Sequence, residues 1–213
     1  MAEWNQILNG KWYSQEEPDE MVVNFAELIG GKNRKKARLQ VLDVGCGAGR
    51  HLVYMACHRF AASGIDISGK GLSLTKERLK KRNLEAFIVK SDMKELPFIN
   101  SCFDAVLCLH TIYHQRYEEI RETVSEITRL LRKKGYVFIN FLSKRTYSFG
   151  KGVRVEDDTF IEQEGVEKGV LHHFTGKEEI ERLFRDFEIL DLSLKEKKVE
   201  GKLQSRWTLV ATS

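Results

Sequence analysis

The sequence has little of what would divide a chain or anchor it in a membrane. It holds only two prolines in 213 residues, Pro18 and Pro97. No internal repeat or low-complexity linker separates one part from another, so one domain spanning 1–213 is expected. No stretch approaches the roughly 18 consecutive apolar residues that a membrane-crossing helix needs. Met1 to Gly10 also lacks the basic-then-apolar order of a secretory leader, so a cytoplasmic location with no membrane partner is expected. The four cysteines, Cys46, Cys57, Cys102 and Cys108, show no C-x-x-C spacing, and three of them sit in apolar runs. That argues against both a disulfide framework and a zinc motif. The formal charge of +4 is too small for this length to demand a nucleic-acid partner.

What is present is alternation. Short apolar runs occur at Gln40 to Val44, Ala61 to Ile67, Ala86 to Lys90, Phe103 to Leu109, Tyr136 to Leu142, Phe187 to Leu194 and Arg206 to Ala211. Segments of helical period lie between them at Arg50 to Arg59, Gly69 to Lys81, Glu118 to Arg132 and Lys177 to Phe184. Strands alternating with helices predict an α/β fold with a doubly wound, mostly parallel sheet of seven strands. The link around Glu200-Gly201-Lys202 is too short for a crossover helix, so the last two strands are expected as an antiparallel hairpin. An N-terminal helical cap over 1–38 and a substrate lid over 143–175, the longest stretch without a clear period, complete the expected layout.

The most informative segment is Val41-Leu42-Asp43-Val44-Gly45-Cys46-Gly47-Ala48-Gly49-Arg50, a strand that runs through glycines into a helix. Glycines allow unusual dihedrals and let a ligand lie against the main chain, while the following helix offers free N–H groups. The third glycine comes one residue too early for the dinucleotide fingerprint G-x-G-x-x-G, which disfavours NAD. With Asp43 two residues before the first glycine, the segment resembles the D-x-G-x-G-x-G motif of class I S-adenosylmethionine-dependent methyltransferases, and the resemblance extends over nearly the whole chain.

That resemblance implies a Rossmann-like fold, S-adenosyl-L-methionine as cofactor and S-adenosyl-L-homocysteine as product. It assigns Asp43, Gly45, Gly47 and Gly49 to the cofactor turn. Asp66, closing the second strand, would accept both ribose hydroxyls, and Ile67 would form an apolar wall beside adenine. Asp92 and Met93 after the third strand would bind the adenine amine and ring. Leu109, at the end of the fourth strand, would face the reactive methyl group. Tyr13, in Trp12-Tyr13-Ser14, would either reach the methionine carboxylate or pack in the core.

The acceptor end is less specific. Methyl transfer from a sulfonium is an in-line displacement governed mainly by alignment. A thiolate, a neutral amine or a reduced chalcogen anion needs no base, whereas a hydroxyl or an ammonium does. His110 and His114 after the fourth strand and His173 at the end of the lid are the candidate catalytic residues, with packing or loop hydrogen bonding as the alternative role. No acid or cysteine near His110 and His114 completes a familiar ligand set, so no metal is expected. Arg145, Tyr147 and Arg154 on the lid could bind an anionic acceptor. Asp104 begins its strand and is given no catalytic role.

Three functions compete. Methylation of a small molecule fits a chain with no separate recognition domain. Methylation of RNA, DNA or protein would draw on the basic stretches 32–38 and 76–82. The third is a cofactor-binding regulator that does not catalyse transfer.

Overall fold

The computed structural model describes residues 4–8, 15–31 and 38–213. Five strands form the parallel heart of the sheet: β1 (Gln40–Val44), β2 (Ala61–Asp66), β3 (Phe87–Lys90), β4 (Phe103–Cys108) and β5 (Leu131–Ser143), in the order β3-β2-β1-β4-β5. The chain starts at β1 and winds outward to β3, then returns past β1 to β4. The strand order therefore reverses beside β1, where open α/β sheets leave a crevice at the carboxyl ends of their strands.

Side-chain alternation explains how this sheet is covered. Val41, Ala105, Leu107 and Phe138 face one layer, made by α2 (Glu20–Gly30), α3 (Arg50–Cys57) and α4 (Gly69–Lys81). Leu42, Val44, Val106, Cys108, Val137, Ile139 and Phe141 face the other, made by α5 (Tyr117–Leu130) and α6 (Lys177–Leu183). Helix α5 meets the sheet with Ile120, Val124, Ile127 and Leu130, a stripe at helical spacing. On the opposite layer, Phe25 of α2 packs on Phe138 with ring centroids 5.0 Å apart.

The expected hairpin is present as β9 (Glu188–Val199) and β10 (Lys202–Thr212). Strand β10 lies antiparallel between β5 and β9, which completes the seven-stranded sheet. The stretch 143–175 is more regular than its sequence suggests. It holds β6 (Val153–Glu156), β7 (Thr159–Ile161) and β8 (Leu171–Thr175), an antiparallel meander whose strands are too short to show a period. β8 joins the main sheet in parallel through Leu142↔Phe174 and Ser143↔Thr175, beyond the last pairing of β5 with β4 at Cys108↔Ile139. The sheet therefore has ten strands where seven were expected, and the additional three rise beside the carboxyl end of β4.

At the N-terminus, the one-turn helix α1 (Trp4–Ile7) reaches from the start of α4 to the segment after β4. Asn5 Oδ1 accepts from the Ser68 hydroxyl at 2.9 Å, and the Trp4 ring meets the His114 ring edge-on at 4.7 Å. Among the described residues no helix is long and apolar enough to cross a membrane.

Candidate active site

The glycine turn forms because β1 must reverse into α3 within five residues. Gly45, Gly47 and Gly49 all adopt positive φ, at 73°, 53° and 81°. A Cβ at Gly45 would lie 2.3 Å from Thr111, so the turn is interlocked with the loop after β4. A Cβ at Gly47 would meet nothing within 4 Å, so there the main chain borders open space, as a ligand lying against the backbone requires.

Asp66 ends β2 and braces this turn. Its Oδ2 accepts from Gly47 N–H and its Oδ1 from Ser68 N–H, both at 2.7 Å. Burial raises its pKa against those bonds. Each oxygen keeps a further lone pair, so two hydroxyl donors can still be accepted. Asp43 is almost fully buried, and its Oδ2 has no hydrogen-bond partner. Burial pushes its carboxyl up to about 6, the charge of Asp66 adds to this, and His51 opposes it. Residues 91–102 are held by Arg129, which donates to the carbonyls of Leu96 at 3.0 Å and Phe98 at 2.8 Å. Met93 packs half-buried against the core, and the exposed Asp92 turns back to accept from Lys94 N–H at 3.0 Å. Ile67 is 49% exposed beside Asp66, and Leu109 is buried in the core cluster shared by the sheet and the layer of α2, α3 and α4. Tyr13 lies outside the described residues.

Across the turn stands a hub that sequence reading missed. Asp19, just before α2, lies 3.0 Å from Arg50, 3.6 Å from His51 Nε2 and 2.8 Å from His110 Nε2. Burial works against its ionisation, but the hydrogen bond from His110, the close approach of His51 and the charge of Arg50 hold Asp19 well below the usual carboxylate range. His110 sits at φ 57°, its N–H donating to Asn140 Oδ1 at 2.8 Å. Burial lowers its pKa to about 4 despite Asp19. The neutral ring donates from Nε2 to Asp19, and Asn140 Nδ2 faces Nδ1 at 3.4 Å. Both ring nitrogens are therefore committed.

The other two candidate histidines separate. His173 is buried with Nδ1 2.7 Å from the Thr159 hydroxyl and Nε2 2.7 Å from Glu179, so it braces β8 against α6 and does not face the crevice. Its neighbour His172, on the opposite face of β8, meets His114 at a ring-centroid distance of 5.0 Å. Burial and the neighbouring His172 lower the His114 pKa to about 3. The acid missing from the sequence reading is Glu167, which the meander brings to His114 and His172, with one donor atom of each within 4.8 Å of the others. Contact across 53 residues depends on β8 pairing with β5, which no local pattern reveals.

The lid cations do not gather into a site. Arg145 pairs with Glu196, Arg154 pairs with Asp157, and Tyr147 lies near Lys151 and Lys202 on the surface. Asp104 is tied to Arg132 and to Gln40 N–H at the far edge of the sheet.

The site thus combines a Rossmann-like sheet of this order, a glycine turn after β1 and an acid closing β2. Residues 42–139 match the family described as "Methyltransferase domain". That segment therefore carries a methyltransferase domain of the class I S-adenosylmethionine-dependent kind. It is 33% identical over 110 residues to the phthiotriol/phenolphthiotriol dimycocerosates methyltransferase of Mycobacterium tuberculosis, a match covering 51% of this chain and 37% of that protein. The ubiquinone biosynthesis O-methyltransferase of Rickettsia akari is 22% identical over 125 residues, covering 59% and 49%. The chain spans about half the length of these curated relatives, or less. Among solved structures, an S-adenosylmethionine-dependent methyltransferase from Methanosarcina mazei superposes with a TM-score of 0.73 at 18% identity, covering 92% of this chain and 98% of that one.

Proposed function

We propose that the protein transfers the methyl group of S-adenosylmethionine to a small-molecule acceptor. The observation that carries this reading is Asp66, half-buried at the end of β2 and bonded to the glycine turn, beside the open face of Gly47. When bound, the cofactor supplies a methyl group on a positively charged sulfur. In this reading Asp66 accepts the ribose hydroxyls, Ile67 lines one side of the adenine, and Asp92 and Met93 hold its edge. Asp43 sets a negative charge beneath Gly45, Gly47 and Gly49, favouring a cationic ligand in the turn. Leu109 and His110 border the methyl group, and α1 shelters the crevice from water. Tyr13 is retained as a further cofactor contact.

His110 shapes the site in this reading and does not remove a proton, because both its ring nitrogens are engaged. His173 is engaged in the same way, which leaves His114 as the one of the three with a free ring nitrogen. An acceptor that arrives with its lone pair available suits such a site best. Two observations support a small acceptor. The crevice is bordered by α1 and by the β6–β8 meander. Of the basic stretches 32–38 and 76–82, residues 32–37 lie outside the described residues, while Arg38, Lys76 and Lys80 line a cleft of about 1070 Å³ that also includes Gln40, Ala61 and Phe87 at the amino ends of β1 to β3, the ends opposite the glycine turn. The two named relatives both act, by their names, in the methylation of small molecules.

Calorimetric titration with S-adenosylmethionine and S-adenosylhomocysteine, with NAD as control, tests the cofactor. Micromolar binding of the first two alone is expected, and its absence overturns the reading. Turnover of a small-molecule acceptor panel then separates an enzyme from a non-catalytic regulator, while salt-sensitive turnover of RNA alone would point to a nucleic-acid acceptor.

A further inference from the structure

We infer that His114, Glu167 and His172 form a binding site for a divalent transition-metal ion, with an open coordination position facing the acceptor side of the crevice. One donor atom from each residue lies within 4.8 Å of the other two. Two imidazoles and one carboxylate are the donor set of zinc sites that keep a position open, and of facial triads for other borderline divalent ions. Metal–ligand bonds of about 2.0 to 2.2 Å place tetrahedral donors about 3.4 Å apart; Glu167 and His172 already stand at 3.1 Å, and no donor is more than 4.8 Å from another, so small side-chain rotations suffice to bring all three onto one ion.

Orientation supports the assignment more strongly than proximity. His114 Nδ1 lies 3.2 Å from the carbonyl of Leu171. A carbonyl only accepts, so Nδ1 carries the proton and Nε2 presents a bare lone pair, as in histidine ligands fixed by a carbonyl behind them. His172 Nε2 is buried 3.1 Å from Glu167 Oε2, an imidazole and a carboxylate already paired at close to the separation that two ligands of one ion adopt.

The position gives the ion a use. His114 lies on the 3-10 turn Ile112–His114 that follows β4, and His172 lies on β8 beside it. Arg206 adds a fixed positive charge that acts on both Glu167 and Tyr113. One carboxylate, one guanidinium and a divalent ion leave a net positive site, which selects an acceptor that binds through an anionic donor atom such as a thiolate, phenolate or carboxylate. This acceptor class rests on the methyltransferase reading above, whereas the metal site does not.

The full chain, stripped with a chelator, would be titrated with Zn²⁺ against a chromophoric competitor and with Co²⁺ to read the ligand-field spectrum. One Zn²⁺ per chain is expected, with a Co²⁺ spectrum of four or five ligands. Glu167→Gln and His172→Gln should each weaken binding by at least about tenfold while circular dichroism stays unchanged. Cys57→Ser combined with His58→Asn, which removes the exposed Cys57 and its neighbour His58, should leave binding intact. No stoichiometric binding, or binding that both site variants leave unchanged, overturns the site. S-adenosylmethionine titrated into Glu167→Gln reports separately on the cofactor reading, because Asp66 and the glycine turn are untouched.

Discussion

From β1 to β3 the crevice is shaped by main chain, and from β4 to β8 it is shaped by side chains. On the first side, three glycines in left-handed conformations expose backbone, and Asp66 bonds directly to that backbone. On the second, histidines are held in chosen tautomers by Asp19, Asn140 and the Leu171 carbonyl. Backbone geometry suits a cofactor whose shape never changes. Side chains can be exchanged without disturbing the sheet, so this is where relatives with different acceptors can diverge. The difference implies that variants on one side should alter cofactor affinity or stability, and variants on the other the acceptor or metal.

The largest expected effect tests the buried charge under the turn. The folded pKa of Asp43, about 6, lies above its unfolded value near 3.8, so the folded chain holds this proton more tightly than the unfolded one. Its penalty to stability is full above pH 6 and fades as pH falls towards 3.8. Asp43→Asn should therefore raise unfolding free energy by about 3 kcal/mol at pH 8, from roughly two units at 1.36 kcal/mol each, with a smaller gain at pH 4.5. Urea melts at the two values check this, and an equal gain at both would mean that the burial penalty is not electrostatic.

Next comes Asp66→Ala, which should weaken S-adenosylmethionine by about 2 to 3 kcal/mol, or roughly 30- to 150-fold, through loss of charge-assisted hydrogen bonds. Calorimetry measures it, and an unchanged affinity would remove Asp66 from the ribose site. Asp19→Asn should cost less, about 1 kcal/mol of stability, since the Asp19 carboxylate is partly exposed. Because that carboxyl is depressed, its contribution is present above the ordinary carboxylate pKa and is lost as pH falls below it, opposite in sign to Asp43. In thermal melts from pH 7 down to pH 2, the gap between the two forms should be constant above about pH 4 and shrink steadily below it. Smallest of all, Lys76→Gln with Lys80→Gln should change stability by less than about 0.5 kcal/mol and leave turnover intact. A marked loss of turnover would draw the far basic edge into acceptor binding.

The same division explains what the sequence made legible. The glycine turn, Asp66 and all seven strands of the main sheet follow from local spacing, because each signal lies within a few residues of its partner. The meander does not, since strands of three to five residues carry no readable period. The choice between His173 and His172 is illegible for a related reason. Adjacent residues on a strand face opposite ways, and only the register of β8 decides which one meets His114. Glu167 and Asp19 were invisible because their partners are remote in sequence, His114 in one case and His110 in the other. A motif reader finds a residue by its neighbours, and these two have none that matter.

Strand β9 pairs with β10 along one side and forms an outer border of the main sheet. An unpaired border of a sheet is a template on which another chain can add a strand. Residues Lys195, Glu196, Lys197 and Lys198 stand exposed along its second half. A second copy aligning there would bring lysines against lysines at short range, so crowding at high concentration meets a charged barrier along that half of the border.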